Sequence, residues 1–386
     1  MEPFHIDIPQ AALDDLHRRL EATRWPVDQG GDDWSRGVPQ GYLQELVDYW
    51  RSSYDWRAAE ARLNEFPQFT AEVAGTNVHF LHVRSPEPDA IPMIVTHGWP
   101  GSFTEYLDII EPLTNPRSRG GDPATAYHLV IPSIPGFGFS GPPSQPGWSM
   151  PRVAAAWAEL MATLGYDRYV VQGGDFGAWI SLMAAGMDHE HVIGAHVNFL
   201  PTLPSSDPAD MAGLTAVELN RLDMLMKFMD EQSGYMRIQA TRPHTLAYAL
   251  NDSPVGQLAW IVEKLHEWSA SAKVPEEAID RDRILTNVML YWLTGTGASS
   301  AHFYFDNAEL LPISKTPPPQ PPPLPVPLGV AMFPHDPGQA IRRFADRGFP
   351  NIVQWSEFDR GGHFPGLEQP ELLIGDLQSF NRVLRG

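Results

Sequence analysis

A chain of 386 residues is longer than one compact layer needs and suits a core domain with large insertions. Hydrophobic residues make up 43% and charged residues 19%, enough for a sizeable buried core and against global disorder. A net charge of -20 argues against nucleic acid or an anionic membrane as partner, and the absence of cysteine excludes disulfide scaffolds, thiolate metal sites and cysteine nucleophiles.

Residues 1–7 lack the basic and apolar regions of a signal peptide, and no stretch approaches the ~18 apolar residues of a membrane-spanning helix. The expectation is a soluble, cytoplasmic protein with no membrane anchor, no metal and no cofactor. Oligomeric state is left open.

Residues 1–75 read as a helical segment: Leu13, Leu16 and Leu20 form one apolar stripe, and Leu43, Leu46, Val47 and Trp50 another. Pro26 and Pro67 punctuate it. From Val78 the period changes. Short apolar runs at 78–83, 93–96, 128–131, 169–172 and 192–198 predict strands, with a helix over 153–164 that starts after Ser149-Met150-Pro151 and stops at Gly165. This alternation over 76–200 predicts an α/β fold with a mainly parallel sheet covered on both faces. Over 201–315 the strand signal stops, and apolar stripes such as Leu222, Leu225 and Phe228 predict a helical insertion. A proline-rich connector, 316–327, returns the chain to the core at 328–386, where runs at 328–333 and 351–355 complete the sheet.

One turn carries the sharpest chemical signal. The apolar strand ending Val170-Val171-Gln172 runs into Gly173-Gly174-Asp175-Phe176-Gly177, directly before a helix. This Gly-x-Asp-x-Gly pattern resembles the nucleophile elbow of α/β-hydrolases, with aspartate where serine is usual. The small residues suit a strained turn at which strand and helix backbones approach closely. A plain helix N-cap is the competing role for Asp175. His97-Gly98-Trp99-Pro100-Gly101-Ser102 follows the strand at 93–96 and would offer the Trp99 amide to an oxyanion hole, the second amide coming from Phe176. His97 itself is expected to stabilise the turn. The base is expected to be His363, in Gly361-Gly362-His363 after the last strand, because nucleophile, acid and histidine follow that chain order in this fold. The orienting acid is expected at Asp336, with Glu357 and Asp359 as less favoured positions.

Together these motifs resemble the microsomal and juvenile-hormone type of epoxide hydrolase, over nearly the whole chain. The match begins at Ile8-Pro9 and Thr23-Arg24-Trp25-Pro26, which resemble that family's N-terminal wrap. It continues through the His97 and Asp175 loops, Asn251-Asp252-Ser253-Pro254, Thr286-Asn287-Val288-Met289-Leu290-Tyr291-Trp292 and the His363 loop. The resemblance implies an α/β-hydrolase core with a helical cap and a helical N-terminal wrap. It also implies that two cap tyrosines, matched by Tyr235 and Tyr304, donate to the epoxide oxygen. The implied reaction is attack by Asp175 on an apolar small-molecule epoxide, then hydrolysis of the alkyl-enzyme ester to a vicinal diol, in detoxification or natural-product biosynthesis. The match looks closer to soluble actinobacterial relatives than to anchored microsomal ones. Two positions depart from the pattern: Asp336 stands where the family usually has Glu, and Phe176 where it usually has Trp. The same nucleophile and base would also serve a haloalkane or haloacetate dehalogenase, and a non-catalytic binding protein could keep the same fold. A Met-rich stripe at Met224, Met226, Phe228 and Met229 is expected to be helix packing rather than pocket lining.

Overall fold

Short β-branched runs bounded by Gly and Pro pair into a single nine-stranded sheet in the computed structural model, which describes every residue except 29, 30, 32, 144, 206 and 315–322. The strands are β1 (Glu2–Phe4), β2 (Gln68–Val73), β3 (Thr76–Val83), β4 (Ile91–Thr96), β5 (Tyr127–Pro132), β6 (Tyr169–Gly173), β7 (Val192–Val197), β8 (Leu328–Met332) and β9 (Ile352–Glu357). Their order is β1-β2-β3-β5-β4-β6-β7-β8-β9. Pairing is antiparallel from β1 to β5 and parallel from β5 across to β9. Every residue of β6 and β8 is buried, as a strand covered on both faces requires.

The N-terminal segment departs from its all-helical expectation. Its helices Gln10–Glu21, Gln40–Ser52 and Trp56–Leu63 form, and Leu16, Leu20, Leu43, Leu46, Val47 and Trp50 are buried as the stripes require. But β1 and β2 extend the sheet from either end of that segment. The alternation of Phe69, Ala71 and Val73 with Gln68, Thr70 and Glu72 carries a strand period that a helical reading of the segment passes over. Three-residue β1 has too little sequence to show any period; its pairing with β2 creates it.

The helix predicted over 153–164 spans Met150–Thr163. It ends with Gly165 at φ +81°, where the Gly165 and Tyr166 amides donate back to the Ala162 and Met161 carbonyls. That helix packs on Phe176–Met187, and Leu107–Thr114 packs on the C-terminal helix Pro370–Arg385. Most of the expected proline-rich connector lies outside the described residues; Leu324 and Val326 at its end are buried ahead of β8.

Among the described residues of 201–314 there is no strand. The helices Ala216–Lys227, Gly234–Thr241, Pro243–Asp252, Pro254–Trp268, Arg281–Thr294 and Thr296–Asp306 fill this segment, with a widened turn at Phe228–Gln232. The Met-rich stripe divides: Phe228 is buried against Trp268, whereas Met226 faces solvent. The N-terminal segment ties to this one, Trp34 Nε1 in the connection between its first two helices donating to the Lys273 carbonyl at 2.8 Å and the Tyr49 hydroxyl to Asp282 at 2.8 Å. Among the described residues no helix is long and apolar enough to cross a membrane.

The loops after β4 and β5 are joined by His97, which is fully buried. Its Nε2 accepts the Ile134 N–H at 3.2 Å, so the ring proton sits on Nδ1, which donates to the Gly98 carbonyl at 3.0 Å. Burial pushes its pKa down to about 4. The unfolded chain therefore takes up a proton near pH 6.5 that the folded chain refuses. The stability contributed by neutral His97 is complete above pH 6.5 and is lost as pH falls toward 4. We predict that the unfolding free energy drops over this window and that His97→Asn removes a share of the drop worth about 3 kcal/mol. Denaturant titrations at pH 7 and pH 4.5 check this; equal pH slopes in the two proteins would contradict it.

Candidate active site

The carboxyl ends of β4, β6, β8 and β9 converge, and each is followed by a loop that supplies one part of the site, as expected for the ligand edge of an open α/β sheet. After β6 the chain turns so tightly that Asp175 adopts φ 50° and ψ -129°, a left-handed conformation rare for a residue with a side chain. Gly177 makes this possible, because a Cβ there would fall inside the Thr96 carbonyl of β4. Gly98 plays the matching part on the neighbouring loop, where any side chain would occupy the space of the Asp175 carboxylate.

Asp175 does not cap its helix: its side chain takes no bond from the first-turn amides. Instead its two oxygens have different partners. Oδ1 accepts the Trp99 N–H at 2.9 Å, and Oδ2 lies 3.2 Å from His363 Nε2. Among the described residues, Trp99 is the source of the backbone amide bond to this carboxylate. The Phe176 amide opens the helix Phe176–Met187, so no carbonyl within that helix receives it.

The other ring nitrogen of His363, Nδ1, lies 3.0 Å from Asp336 Oδ2. Asp336 is held in turn by the Gly338 amide, which donates to Oδ1 at 2.6 Å, so the shorter aspartate reaches the histidine without a glutamate's extra methylene. Glu357 and Asp359 do not touch His363: Glu357 pairs with Arg221 at 2.6 Å and Asp359 with Arg360 at 3.2 Å. The His363 and Asp336 side chains are each 3% exposed and that of Asp175 20%, so Asp175 presents the open face of the three. Burial disfavours the charged form of His363. The charges of Asp336 and Asp175 outweigh it and hold the pKa well above 6.5, with hydrogen bonds to both carboxylates adding to their effect. Each ring nitrogen therefore has a carboxylate oxygen within hydrogen-bonding reach, an arrangement that favours the protonated ring.

Tyr235 and Tyr304 come from separate helices and meet with their rings 5.7 Å apart at 81°. The Trp99 ring stacks on Tyr235 at 5.0 Å and meets Tyr304 edge-on at 5.6 Å, while Phe176 packs against Tyr304 at 4.8 Å. Burial, with the nearby charge of Asp175, pushes both phenols well above 10, so both stay protonated and able to donate.

Four residues around this constellation carry no signal in the sequence. Trp268 packs on His363 at 5.2 Å and on Tyr235 at 5.4 Å, closing the histidine from the helical side. Glu368 accepts the Ala270 N–H at 2.7 Å and the Phe364 N–H at 3.0 Å, bridging the helical segment to the His363 loop. Buried Glu105 has its pKa raised to about 8 by desolvation. Lys264 pairs with Glu267 at 2.7 Å and sits 5.0 Å over the Tyr235 ring. These four are read as ordinary helix or loop positions because only tertiary packing brings them here. Among the described residues no cluster of His, Asp and Glu could hold a metal ion.

Comparison with known proteins places the whole chain in a family. Residues 1–106 match a family profile described as the epoxide hydrolase N terminus, and residues 91–212 match one described as the alpha/beta hydrolase fold. The chain is 46% identical over 384 residues to a protein of Stigmatella aurantiaca named "Putative epoxide hydrolase", covering 99% of this chain and 85% of that one. It is 33% identical to epoxide hydrolase 1 of Sus scrofa, covering 100% of this chain and 89% of the relative. Among solved structures, the epoxide hydrolase of Aspergillus niger superposes with a TM-score of 0.87 at 32% identity, covering 99% of this chain and 96% of that one. The juvenile hormone epoxide hydrolase of Bombyx mori gives a TM-score of 0.88 at 28% identity, covering 100% and 95%. With an α/β-hydrolase fold and relatives of this kind along its whole length, the chain belongs to the epoxide hydrolase family and is a hydrolase acting on an ether bond of a small-molecule substrate.

Proposed function

We propose that this enzyme opens its epoxide by covalent attack from Asp175, that His363 and Asp336 drive hydrolysis of the resulting ester, and that segment 201–315 serves as the cap. The observation that carries this reading is the division of labour on one carboxylate: Asp175 Oδ1 sits on an amide, while Oδ2 faces the histidine beneath two buried, protonated phenols.

In the first step Oδ2 forms a bond to a ring carbon and the carbon–oxygen bond of the epoxide breaks. Its electron pair goes to the ring oxygen, which takes a proton from Tyr235 or Tyr304 while the other donates a hydrogen bond. Alkylation removes the charge of Asp175, one of the two charges that keep His363 protonated. The histidine pKa then falls, and the proton it releases is available to restore the phenol. Neutral His363, held by Asp336, next deprotonates a water that attacks Cγ of the ester. Negative charge collects on Oδ1, against the Trp99 amide, with the Phe176 amide as second donor. Collapse breaks the bond from Cγ to Oδ2, the departing alkoxide takes the proton of the new carboxylic acid, and the diol leaves carrying Oδ2, with Asp175 again a carboxylate beside the His363 ring that holds the other proton of the water. Serine could not replace Asp175, because the ether it would form has no carbonyl for water to attack. The aromatic lining of Trp99, Phe176, Tyr235, Trp268 and Tyr304 supports an apolar epoxide as substrate.

In His363→Gln, mixing with a simple aryl epoxide should give a protein heavier by one epoxide in intact mass spectrometry. Diol formation should be slower by on the order of 10³-fold. The added mass should vanish when Asp175→Ala is combined with it. A folded His363→Gln protein with neither adduct nor diol would sink the covalent route. Tyr235→Phe and Tyr304→Phe should each slow the alkylation step, by on the order of 10²-fold, and the double variant should show no measurable alkylation. Single-turnover quench experiments read this directly; an unchanged alkylation rate in both single variants would remove the tyrosines from the mechanism.

A further inference from the structure

The motif Thr286-Asn287-Val288-Met289-Leu290-Tyr291-Trp292 has no part in the chemistry above, yet it reaches the loop on which that chemistry depends. The Trp99 amide works only while it points at Asp175 Oδ1, and hydrogen bonds weaken steeply once the donor turns off line. The residue after Trp99 is Pro100, which has no N–H to tie the loop down. The loop is held through its carbonyls instead. His97 Nδ1 donates to the Gly98 carbonyl at 3.0 Å, Asn287 Nδ2 to the Pro100 carbonyl at 2.7 Å, and the Tyr291 hydroxyl to the Gly101 carbonyl at 2.6 Å.

Asn287 and Tyr291 lie four residues apart on the helix Arg281–Thr294 and therefore share one face, from which they bind two successive carbonyls. Both are buried, at 5% and 1% exposure. Among the described residues no group bonds Asn287 Oδ1, so the hydrogen bond to Pro100 is the one that orients this side chain. The helix is braced at other points. Tyr54 bonds Thr286 at 3.0 Å, and Arg283 pairs at 2.6 Å with Asp108, on the helix Leu107–Thr114 that follows the loop.

We propose that Asn287 and Tyr291 are positioning residues, which aim the Trp99 amide by fixing the carbonyls beyond it and so make the oxyanion hole depend on the docked cap. This rests on the covalent route through Asp175. On that route the two steps use the amide unequally. During alkylation the charge on Oδ1 disappears, so a well-aimed amide gains nothing as that step proceeds. During ester hydrolysis a full charge appears on Oδ1, and the amide is strengthened in the transition state. Loosening the loop therefore slows hydrolysis selectively, and the alkyl-enzyme accumulates.

The experiment follows Tyr291→Phe and Asn287→Ala beside the wild type, using rapid mixing with an aryl epoxide, quenching and intact mass spectrometry. Each variant should show hydrolysis slowed by about 10- to 100-fold, alkylation changed far less, and most of the enzyme carrying the adduct in the steady state. KM should fall together with kcat, because hydrolysis becomes the slow step after a faster one. Residues that only stabilise the fold would lower the melting temperature or the active fraction and leave the ratio of the two rates unchanged. An unchanged ratio in folded variants overturns the proposal, as does failure of both variants to fold. His363→Gln run in parallel separates the two readings. With no adduct there, the covalent route itself has failed; with an adduct there and an unchanged ratio in Tyr291→Phe and Asn287→Ala, only the positioning role has.

Discussion

A carboxylate half-enclosed at the edge of a sheet needs a partner for each oxygen, and the rest of this site follows from how Asp175 obtains them. One oxygen takes an amide from the loop after β4, the other faces the His363 ring from the loop after β9. β4 and β6 are immediate neighbours in parallel register, so the Trp99 amide can stand directly across from the turn that carries Asp175. Bringing the two so close leaves no room for a side chain on Gly98 or Gly177. The positive φ at Asp175 is held by this crowding, with strain concentrated where the carboxylate must project.

On the proposed route His363 couples charge to chemistry. Two carboxylates favour the protonated form of His363 despite burial, and on the proposed route neutralising one of them would release its proton when a base is needed. Asp336 keeps its place throughout, bound by the Gly338 amide. The phenols work by the opposite logic. Burial and a neighbouring anion keep them neutral, so on the proposed route they can give a proton to an oxygen that becomes more basic as the ring opens. Both groups depend on the helical segment, which supplies the tyrosines, covers the histidine with Trp268 and bonds the carbonyls of the oxyanion loop.

Much of this was legible before any tertiary contact was known. Gly-x-Asp-x-Gly after an apolar strand, His-Gly-Trp-Pro-Gly after another and Gly-Gly-His near the end are local patterns, and backbone sterics dictate their small residues. The seven strands from β3 to β9 and the end of the helix Met150–Thr163 at Gly165 were legible for the same reason, because period and capping act over a few residues. Short edge strands are not: β1 has too few residues for a period, and β2 falls inside the 1–75 segment, whose stronger signal is helical.

What the sequence determined by itself is therefore the local chemistry: which turn bears a carboxylate, which loops can offer an amide and a histidine, and where helix gives way to strand. Tertiary structure decided which groups surround that carboxylate. Asp336 is favoured over Glu357 from the sequence, and the fold separates them in space: Asp336 meets His363, while Glu357 is drawn to Arg221, 136 residues earlier in the chain. The place of Trp268 and Glu368 beside the site turns on the docking of the helical segment, as does what Asn287 and Tyr291 bind, although the motif that holds those two stands out in the sequence. Hydrogen bonds and desolvation act over a few ångströms of space rather than of chain, so residues whose roles come only from such neighbours look ordinary until the chain has folded.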